Sequence, residues 1–461
     1  MKAARLVVGG MAALLVSACA YKPAAAPEST LQVPAGWRTG SAPVSPVTGE
    51  WWKGFGDPAL DKLVEAALAR NTDVRVARAR VQEYQSRVRI ANAGRSPTLS
   101  AGIEPGRSRA LNAFGVPQDV TFYQGSLQAS YEVDLWGRLE SLIDAARADY
   151  EGQQAAADAT ALVVAANVAS GYLNLRGLDA QLELARDTLK SRQASLDLAT
   201  KQFETGYSSR LDLVQAQAEY RATTIVIPQV QRSIAQQENA LSVLIGANPG
   251  PVERGVSLAS LKLPAIAAGL PSELLRRRPD IFQAERAVIS SDASLAAARD
   301  QLLPSVKLTG SAGVGAFTLS QLVQSPLSLW SIGGSILSPI LDGGRLRAQT
   351  DVAASARDRA VFAYENTVRT AFMEADNGLV AVQKLEEQAT EASARQVAAA
   401  EALRIAHNRY SNGYASYLEE LDAQRTRYSA DVSLLQLRTS LLTAHVDLYR
   451  ALGGGWGANG G

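Results

Sequence analysis

Two hydrophobic periods alternate along this chain. Tyr123, Gly125, Leu127, Ala129, Tyr131, Val133 and Leu135 fall on one side, and Gln124, Ser126, Gln128, Ser130, Glu132 and Asp134 on the other. Period 2 with one apolar and one polar side predicts a strand, and about ten such residues is the length a membrane barrel uses. A weaker alternation over 98–105, through Leu99, Ala101 and Ile103, predicts a strand before it, and 106–121 read as a loop. Ahead of these, Asp57-Pro58 supplies an N-cap and a first-turn proline for a helix running to about Asn92, which Pro97 ends. From Trp136 to about Glu204 there is no proline, and Leu175, Leu182, Leu189, Leu196 and Phe203 recur every seven residues, the signature of a coiled-coil seam. The helix predicted there has about 69 residues and is about 100 Å long. Gly206 turns the chain. A return helix, with Leu211, Val214, Ala218, Arg221 and Ile225 at 4-3 spacing, runs to about Ile245, and Pro228 is expected to kink it.

The programme is then repeated 207 residues on. QFETGYSSRLDLVQAQ (202–217) and RYSNGYASYLEELDAQ (409–424) share Gly206/Gly413, Tyr207/Tyr414, Ser209/Ser416, Leu211/Leu418, Ala216/Ala423 and Gln217/Gln424. At the same offset Asp73 maps to Asp280, Pro97 to Pro304, Gly137 to Gly344, Arg138 to Arg345 and Gly246 to Gly453. Strands recur at about 305–312 and 329–341, with Val306, Leu308 and Ala312, then Trp330, Ile332, Ile336 and Ile340, keeping the apolar parity. A gap-free repeat of this length is a tandem duplication. The expected organisation is a signal peptide at 1–18, a Pro/Ala/Ser/Gly-rich tether at 19–50, repeat 1 at 51–252, a linker at 253–266, repeat 2 at 267–453 and a disordered tail at 454–461.

Composition narrows the class. A net charge of +1 gives no support for a nucleic-acid partner. Only two histidines occur, His407 and His445, both in helical stretches without a nucleophile or ligand cluster, so neither an enzyme nor a metal site is expected; His407 reads as part of a solvated helix face. Cys19 is the one cysteine, which excludes an intramolecular disulfide. It follows Lys2, Arg5, an apolar run from Leu6 to Val16 and Ser17-Ala18, the layout of a secretory signal. Val16-Ser17-Ala18-Cys19 resembles a bacterial lipobox, which implies cleavage before Cys19 and a covalent lipid on it; no other cofactor is implied. Ala20 in the next position implies sorting to the outer membrane. No later apolar run reaches the length of about 18 residues that a spanning helix needs, so a span must be a β-barrel.

Four strands per chain cannot close a barrel, because closure takes about eight or more and an open edge in lipid leaves backbone groups unpaired. Two chains would give a barrel that side chains fill. Three give twelve strands and room for a water-filled lumen, which suits polar faces carrying Gln, Ser, Glu and Lys307. The expectation is an α+β membrane channel: a trimeric 12-stranded transmembrane β-barrel from which the long helices project, with six glycine turns at the far end.

Taken together, the lipobox, the opening motif WWKGFGDPALDKLV, the run LPSELLRRRPDIFQAER (270–286) and the two turns with their QAQ or DAQ continuation resemble the outer membrane factors, TolC-type efflux channels, in their lipoprotein (NodT-like) branch. The resemblance covers essentially the whole mature chain. It implies a homotrimer in outer-membrane lipid, its 12-stranded β-barrel continuing into a long periplasmic α-helical barrel, that acts as a passive exit duct for small molecules such as drugs, delivered by an inner-membrane efflux pump through a periplasmic adaptor. It also implies a gate at the periplasmic tips: Leu418 as an apolar constriction, Asp422 as a carboxylate ring, Glu419 and Asp212 as further acidic positions, and Tyr410 making contacts between hairpins. Gly206, Tyr207, Ser208, Gly413, Tyr414 and Ala415 fall where the adaptor docks. The family's founding channels carry an arginine two residues after the turn glycine. Ala415 stands there in this chain, so closure is expected to rest more on Leu418 than on a Tyr-Arg-Asp latch. Two alternatives share part of the pattern, an outer-membrane duct for polypeptides and a non-channel periplasmic coiled coil; the 270–286 run favours small-molecule efflux.

Overall fold

A computed structural model of the protein describes residues 25, 27–40, 49–111, 113–264 and 269–456. Cys19 and the signal segment lie outside the described residues. The chain divides into two compact units. One is drawn from residues 1–30, 80–153 and 283–365, the other from 31–79, 154–282 and 366–461.

In order, the elements are α1 (Pro58–Arg70), α2 (Thr72–Ala93), β1 (Thr98–Leu111), β2 (Pro117–Val133), α3 (Arg138–Glu204), α4 (Arg210–Leu244), α5 (Pro271–Arg277), α6 (Pro279–Asp300), β3 (Ser305–Ala316), α7 (Leu319–Gln324), β4 (Leu327–Leu337), α8 (Arg345–Ser411) and α9 (Tyr417–Ala451). The two long helices α3 and α8 have 67 residues each, and the return helices α4 and α9 have 35 each. Pro228 sits inside α4, which continues on both sides of it.

The first unit holds an antiparallel sheet of order β1-β2-β3-β4. Its register separates the faces. Ala101, Leu127, Ala312 and Trp330 lie opposite one another, and Leu99, Ala129, Gly310 and Ile332 form the neighbouring apolar row. On the other face Ser100, Gln128, Ser311 and Ser331 are aligned, as are Glu132, Lys307 and Ser335. The Ser311 and Ser331 hydroxyls share a 2.9 Å hydrogen bond. Trp330 is 76% and Ile332 85% exposed, so the apolar face has no cover within the chain. Of the strands, β1 and β2 run through 106–111 and 117–121, where a loop was expected. Pro105, Gly106, Arg107 and Arg109 hide the alternation there, and pairing with β2 carries the strand through them.

The second unit is organised by the opening motif. Trp51 stacks on Tyr449 at 5.3 Å, and Trp51, Trp52, Phe55, Leu60 and Val64 pack with Val164, Val168, Tyr172, Leu173, Leu442 and Val446 in one core. Each such side chain stabilises by about 1.5–3 kcal/mol when fully buried. Buried Asp57 caps α1 by accepting from Ala59 N at 2.9 Å, and it accepts from the Tyr172 hydroxyl at 2.7 Å. Burial and that bond to Asp57 push the Tyr172 phenol up, so it stays a donor. One stretch of α3 is apolar enough by composition to cross a membrane, which the sequence reading did not credit. Val164, Ala165, Val168, Ala169 and Leu173 belong to this core, which accounts for its apolar character.

Four expectations change. The helix expected from Pro58 to Asn92 breaks at Asn71, whose backbone leaves the helical region and whose Oδ1 accepts from Asp73 N and Val74 N to start α2. The 253–266 linker is packed where described: Leu258 and Leu261 enter the core, and Arg254 bonds Asp179 at 3.1 Å and also bonds Glu238. The 19–50 tether is held at Trp37, buried with Nε1 donating to Gly269 O at 2.9 Å and its ring edge-on to Phe372, while Arg38 pairs with Asp376 at 3.1 Å. Of the tail expected to be disordered, Trp456 donates to Asp158 at 2.9 Å and its ring packs against Phe282; 457–461 lie outside the described residues.

The duplication survives as matched fasteners. Asn71 Nδ2 donates to Leu244 O at 2.8 Å, and Arg278 Nη1 to Ala451 O at 3.0 Å, the same contact one repeat apart. Gly246 and Gly453 both take positive φ, and a Cβ on either would overlap the backbone of Arg70 or Arg277. Gly171 lies against Leu241, and Gly378 against Leu448. The LPSELLRRRPDI run is thereby explained in part: buried Arg278 also holds Asp280 at 2.6 Å and Glu374 at 2.8 Å. Burial disfavours its charge, but these carboxylates outweigh burial and raise its pKa. Arg278→Ala strands two carboxylates and a helix-end carbonyl, so it is expected to destabilise by about 3–5 kcal/mol, against about 1 kcal/mol for Asn71→Ala. Denaturant unfolding of the purified protein checks this; equal losses would contradict it.

Candidate functional site

The site is the pair of helical hairpins in the second unit, α3–α4 and α8–α9. Both turns are built alike. Gly206 and Gly413 have φ of 76° and 77°, a conformation that glycine adopts without strain. Tyr207 N donates to Gln202 O at 2.7 Å and Gly206 N to Phe203 O at 3.0 Å; Tyr414 N donates to Arg409 O at 2.8 Å and Gly413 N to Tyr410 O at 2.9 Å. Each is the paired 6→1 and 5→2 bonding that ends a helix at a left-handed glycine. Tyr207 is 88% exposed, Tyr414 is exposed too, and Ser208 and Ala415 are half-buried beside them.

The helix starts differ. Ser209 and Asp212 form a reciprocal capping box: Asp212 Oδ2 accepts from Ser209 N at 3.1 Å and from its hydroxyl at 3.0 Å, while Ser209 Oγ accepts from Asp212 N at 3.3 Å. The carboxylate of Asp212 therefore has a structural task. Ser416 makes no side-chain cap. Glu419 is exposed and pairs with Arg409 at 3.5 Å. Leu418 is 60% exposed and Asp422 is exposed one turn on, so the two project from one face of α9.

Between the hairpins lies a small core of Ala199, Ala216, Tyr410, Tyr417 and Leu421. The Tyr410 hydroxyl donates to Gln202 Oε1 at 2.6 Å, an inter-hairpin contact at the position expected for one. Its ring tilts against Tyr417 at 5.6 Å. Burial first, then the nearby Glu420 carboxylate, pushes Tyr410 up to about 12; burial likewise pushes Tyr417 up to about 12, so both phenols remain neutral.

Next to this core is a polar cluster that the sequence reading missed. Buried Arg192 on α3 bonds Gln424 Oε1 on α9 and lies 3.4 Å from Glu219 on α4. Gln424 Nε2 donates to Ser195 Oγ at 3.0 Å and to Glu420 Oε1 at 2.8 Å. Arg425 Nε donates to Glu219 at 2.9 Å. Burial lowers the pKa of Arg192 against the opposing pull of Glu219. His407, read as a solvated surface residue, is half-exposed, with Nδ1 3.0 Å from Glu420 Oε1. The available signal was a departure from the repeat, since Arg192 and Glu420 align with Ala399 and Leu213.

Comparison with known proteins adds identity to this geometry. Residues 63–247 and 270–454 each match the outer membrane efflux protein family, and the two matches are themselves 207 residues apart. The probable efflux pump outer membrane protein TtgC of Pseudomonas putida is 35% identical over 430 residues, covering 92% of this chain and 89% of that protein. The cation efflux system protein CusC of Escherichia coli is 34% identical over 408 residues, 88% of each. Among solved structures, the open state of the MtrE outer membrane channel of Neisseria gonorrhoeae superposes with a TM-score of 0.84 at 32% identity, covering 94% of this chain and 98% of that one. The outer-membrane channel OprN gives 0.85 at 28% identity, covering 93% and 99%. Matched twice over and related across nearly its full length, the chain belongs to the outer membrane efflux protein family.

Proposed function

We propose that three copies of this chain form the outer-membrane exit duct of a tripartite efflux system, receiving small molecules from an inner-membrane pump through a periplasmic adaptor. The observation that carries this reading is the four-stranded sheet. It has one apolar face without cover, one polar face, and two edges, β1 and β4, that require strands from other copies. Twelve strands from three copies close it with the polar rows inward. Among the described residues no group of three or more candidate metal ligands comes together.

Selection of cargo belongs to the pump. Relatives named for toluene, pyoverdine and cations are each 32–35% identical to this chain, so one duct architecture serves unlike cargoes. Small molecules are the cargo class that fits here. Cys19, acylated, anchors the protein in the outer membrane; Cys19→Ser should abolish incorporation of labelled palmitate in cells, and undiminished labelling would remove the anchor from this reading.

The gate is formed by Leu418 and Asp422. Three exposed leucines on the lumen side dewet a constriction, and three carboxylates favour cations and repel one another. Glu419 and Asp212 add negative charge nearby, damped by Arg409 and by the capping box. Leu418→Ala combined with Asp422→Ala should raise single-channel conductance in planar bilayers severalfold, and an unchanged conductance would remove both from the gate. The adaptor docks on Tyr207, Ser208, Tyr414 and Ala415 around Gly206 and Gly413. Single cysteines at Ser208 or Ala415 are expected to give crosslinked adaptor in cells that express the pump; no adduct from either position would place docking elsewhere.

A further inference from the structure

The two repeats share fasteners at the ends of their return helices and differ at most positions where hairpin meets hairpin, although Gln424 is matched by Gln217 and Ala216 by Ala423. Arg192, Ser195, Glu219, His407, Tyr410, Tyr417 and Glu420 have as repeat partners Ala399, Ala402, Thr426, Thr200, Phe203, Arg210 and Leu213. Every hairpin element therefore occurs twice per chain, but the polar cluster occurs once. It joins α3 and α4 to α9. Movement of the start of α9 away from α3 must break Arg192–Gln424 and Gln424–Ser195 together, and must uncover the Tyr410–Tyr417–Leu421 core.

Glu420 is the exposed weakness of this cluster in energetic terms. It is only 1% accessible to solvent. Its Oε1 accepts from Gln424 and faces His407 Nδ1, while its Oε2 is buried without a hydrogen bond among the described residues. A buried carboxylate with half its accepting capacity unused is destabilising, and separation of the hairpins relieves it by hydration. A cation at its edge relieves it without separation. His407 is placed to be that cation, with its side chain 56% exposed and its Nδ1 on the carboxylate.

We propose that Arg192, Glu219, Glu420 and Gln424 form a clasp that holds hairpin α8–α9 on hairpin α3–α4, and that His407 makes the clasp tighten in acid. The proposal rests on the gated-duct reading. When the ring is protonated, an imidazolium compensates buried Glu420 and the clasped arrangement is favoured. When the ring is neutral, that compensation is lost and the hairpins part more readily. The sign follows from chemistry: an ion pair that exists only with His407 protonated adds stability to the clasped state at low pH, and that gain is lost as pH rises and the ring gives up its proton. The other groups facing Glu420 and its neighbours are Arg192 on α3, Asp212 and Glu219 on α4, Tyr410 on α8, and Tyr417 and Arg425 on α9. The arginines stay charged and both phenols stay neutral across the window from pH 5 to 8.

The test is the pH dependence of mean conductance of the full-length protein in planar bilayers. The wild type is expected to rise about threefold from pH 5 to pH 8, the size of effect of one partly exposed ion pair. His407→Gln should lose the step and stay at the pH 8 level throughout. His407→Lys, a cation across the whole window, should stay at the pH 5 level. A disulfide between Ser195→Cys and Gln424→Cys, whose parent side chains touch, should also hold conductance at the pH 5 level until reductant is added. A wild type without a step, a step that survives in His407→Gln, or a disulfide without effect each overturns the clasp. The gated-duct reading fails separately, on unchanged conductance in the Leu418/Asp422 variant, so the two failures are distinguishable.

Discussion

Unpaired backbone hydrogen-bonding groups at a sheet edge are the constraint on which the rest of this protein depends. β1 and β4 each have one neighbouring strand in the chain, and the face carrying Trp330 and Ile332 has no cover. In lipid an unsatisfied amide or carbonyl is destabilising by several kcal/mol, and a strand of 11 or 14 residues presents a row of them. No rearrangement within four strands removes two edges. Assembly of copies does, and only the alternation of side chains decides which face meets lipid and which meets water. The oligomer, the lumen and the membrane location of this efflux protein all stem from that one requirement.

The duplication supplies a way to separate architecture from control. Where both repeats keep a contact, it holds the fold: Asn71 and Arg278 each tie down the end of a return helix, Gly246 and Gly453 each admit a backbone oxygen, and Gly171 and Gly378 each admit a leucine. Several contacts between hairpins, by contrast, have no counterpart in the other repeat. Arg192 against Ala399 and Glu420 against Leu213 are charged-for-apolar exchanges in buried positions, and such exchanges are destabilising unless partners arrive with them. Here the partners did arrive, on the neighbouring hairpin. A buried network of this kind has few satisfactory arrangements, which suits an element that must be either docked or released.

Much of the architecture was legible because it rests on periodicity. The alternation from Tyr123 to Val133 appears as a strand with the expected faces, and the helix expected from Trp136 appears as α3, although beyond Leu175 its buried heptad positions are Ala185, Arg192 and Ala199 rather than Leu182, Leu189, Leu196 and Phe203; the 207-residue offset recurs in individual hydrogen bonds. What stayed hidden rests on long-range chemistry. Residues 106–111 carry no alternation, and only pairing with β2 makes them a strand. Asn71 breaks a helix because its side chain serves both Leu244 and α2, which no local pattern reveals. At the tips, Leu418 and Asp422 could be placed on one helix face by spacing alone. Asp212's work as a helix cap and the link from Arg192 to Gln424, 232 residues apart, could not.

The most direct measurement is a three-dimensional image of the full-length protein extracted from outer membrane in mild detergent. The account predicts a particle of three chain masses with a three-fold axis, a closed barrel of twelve strands, and β1 of one copy hydrogen-bonded to β4 of the next. A monomer, a dimer, or a trimer in which β1 and β4 remain unpaired would contradict it.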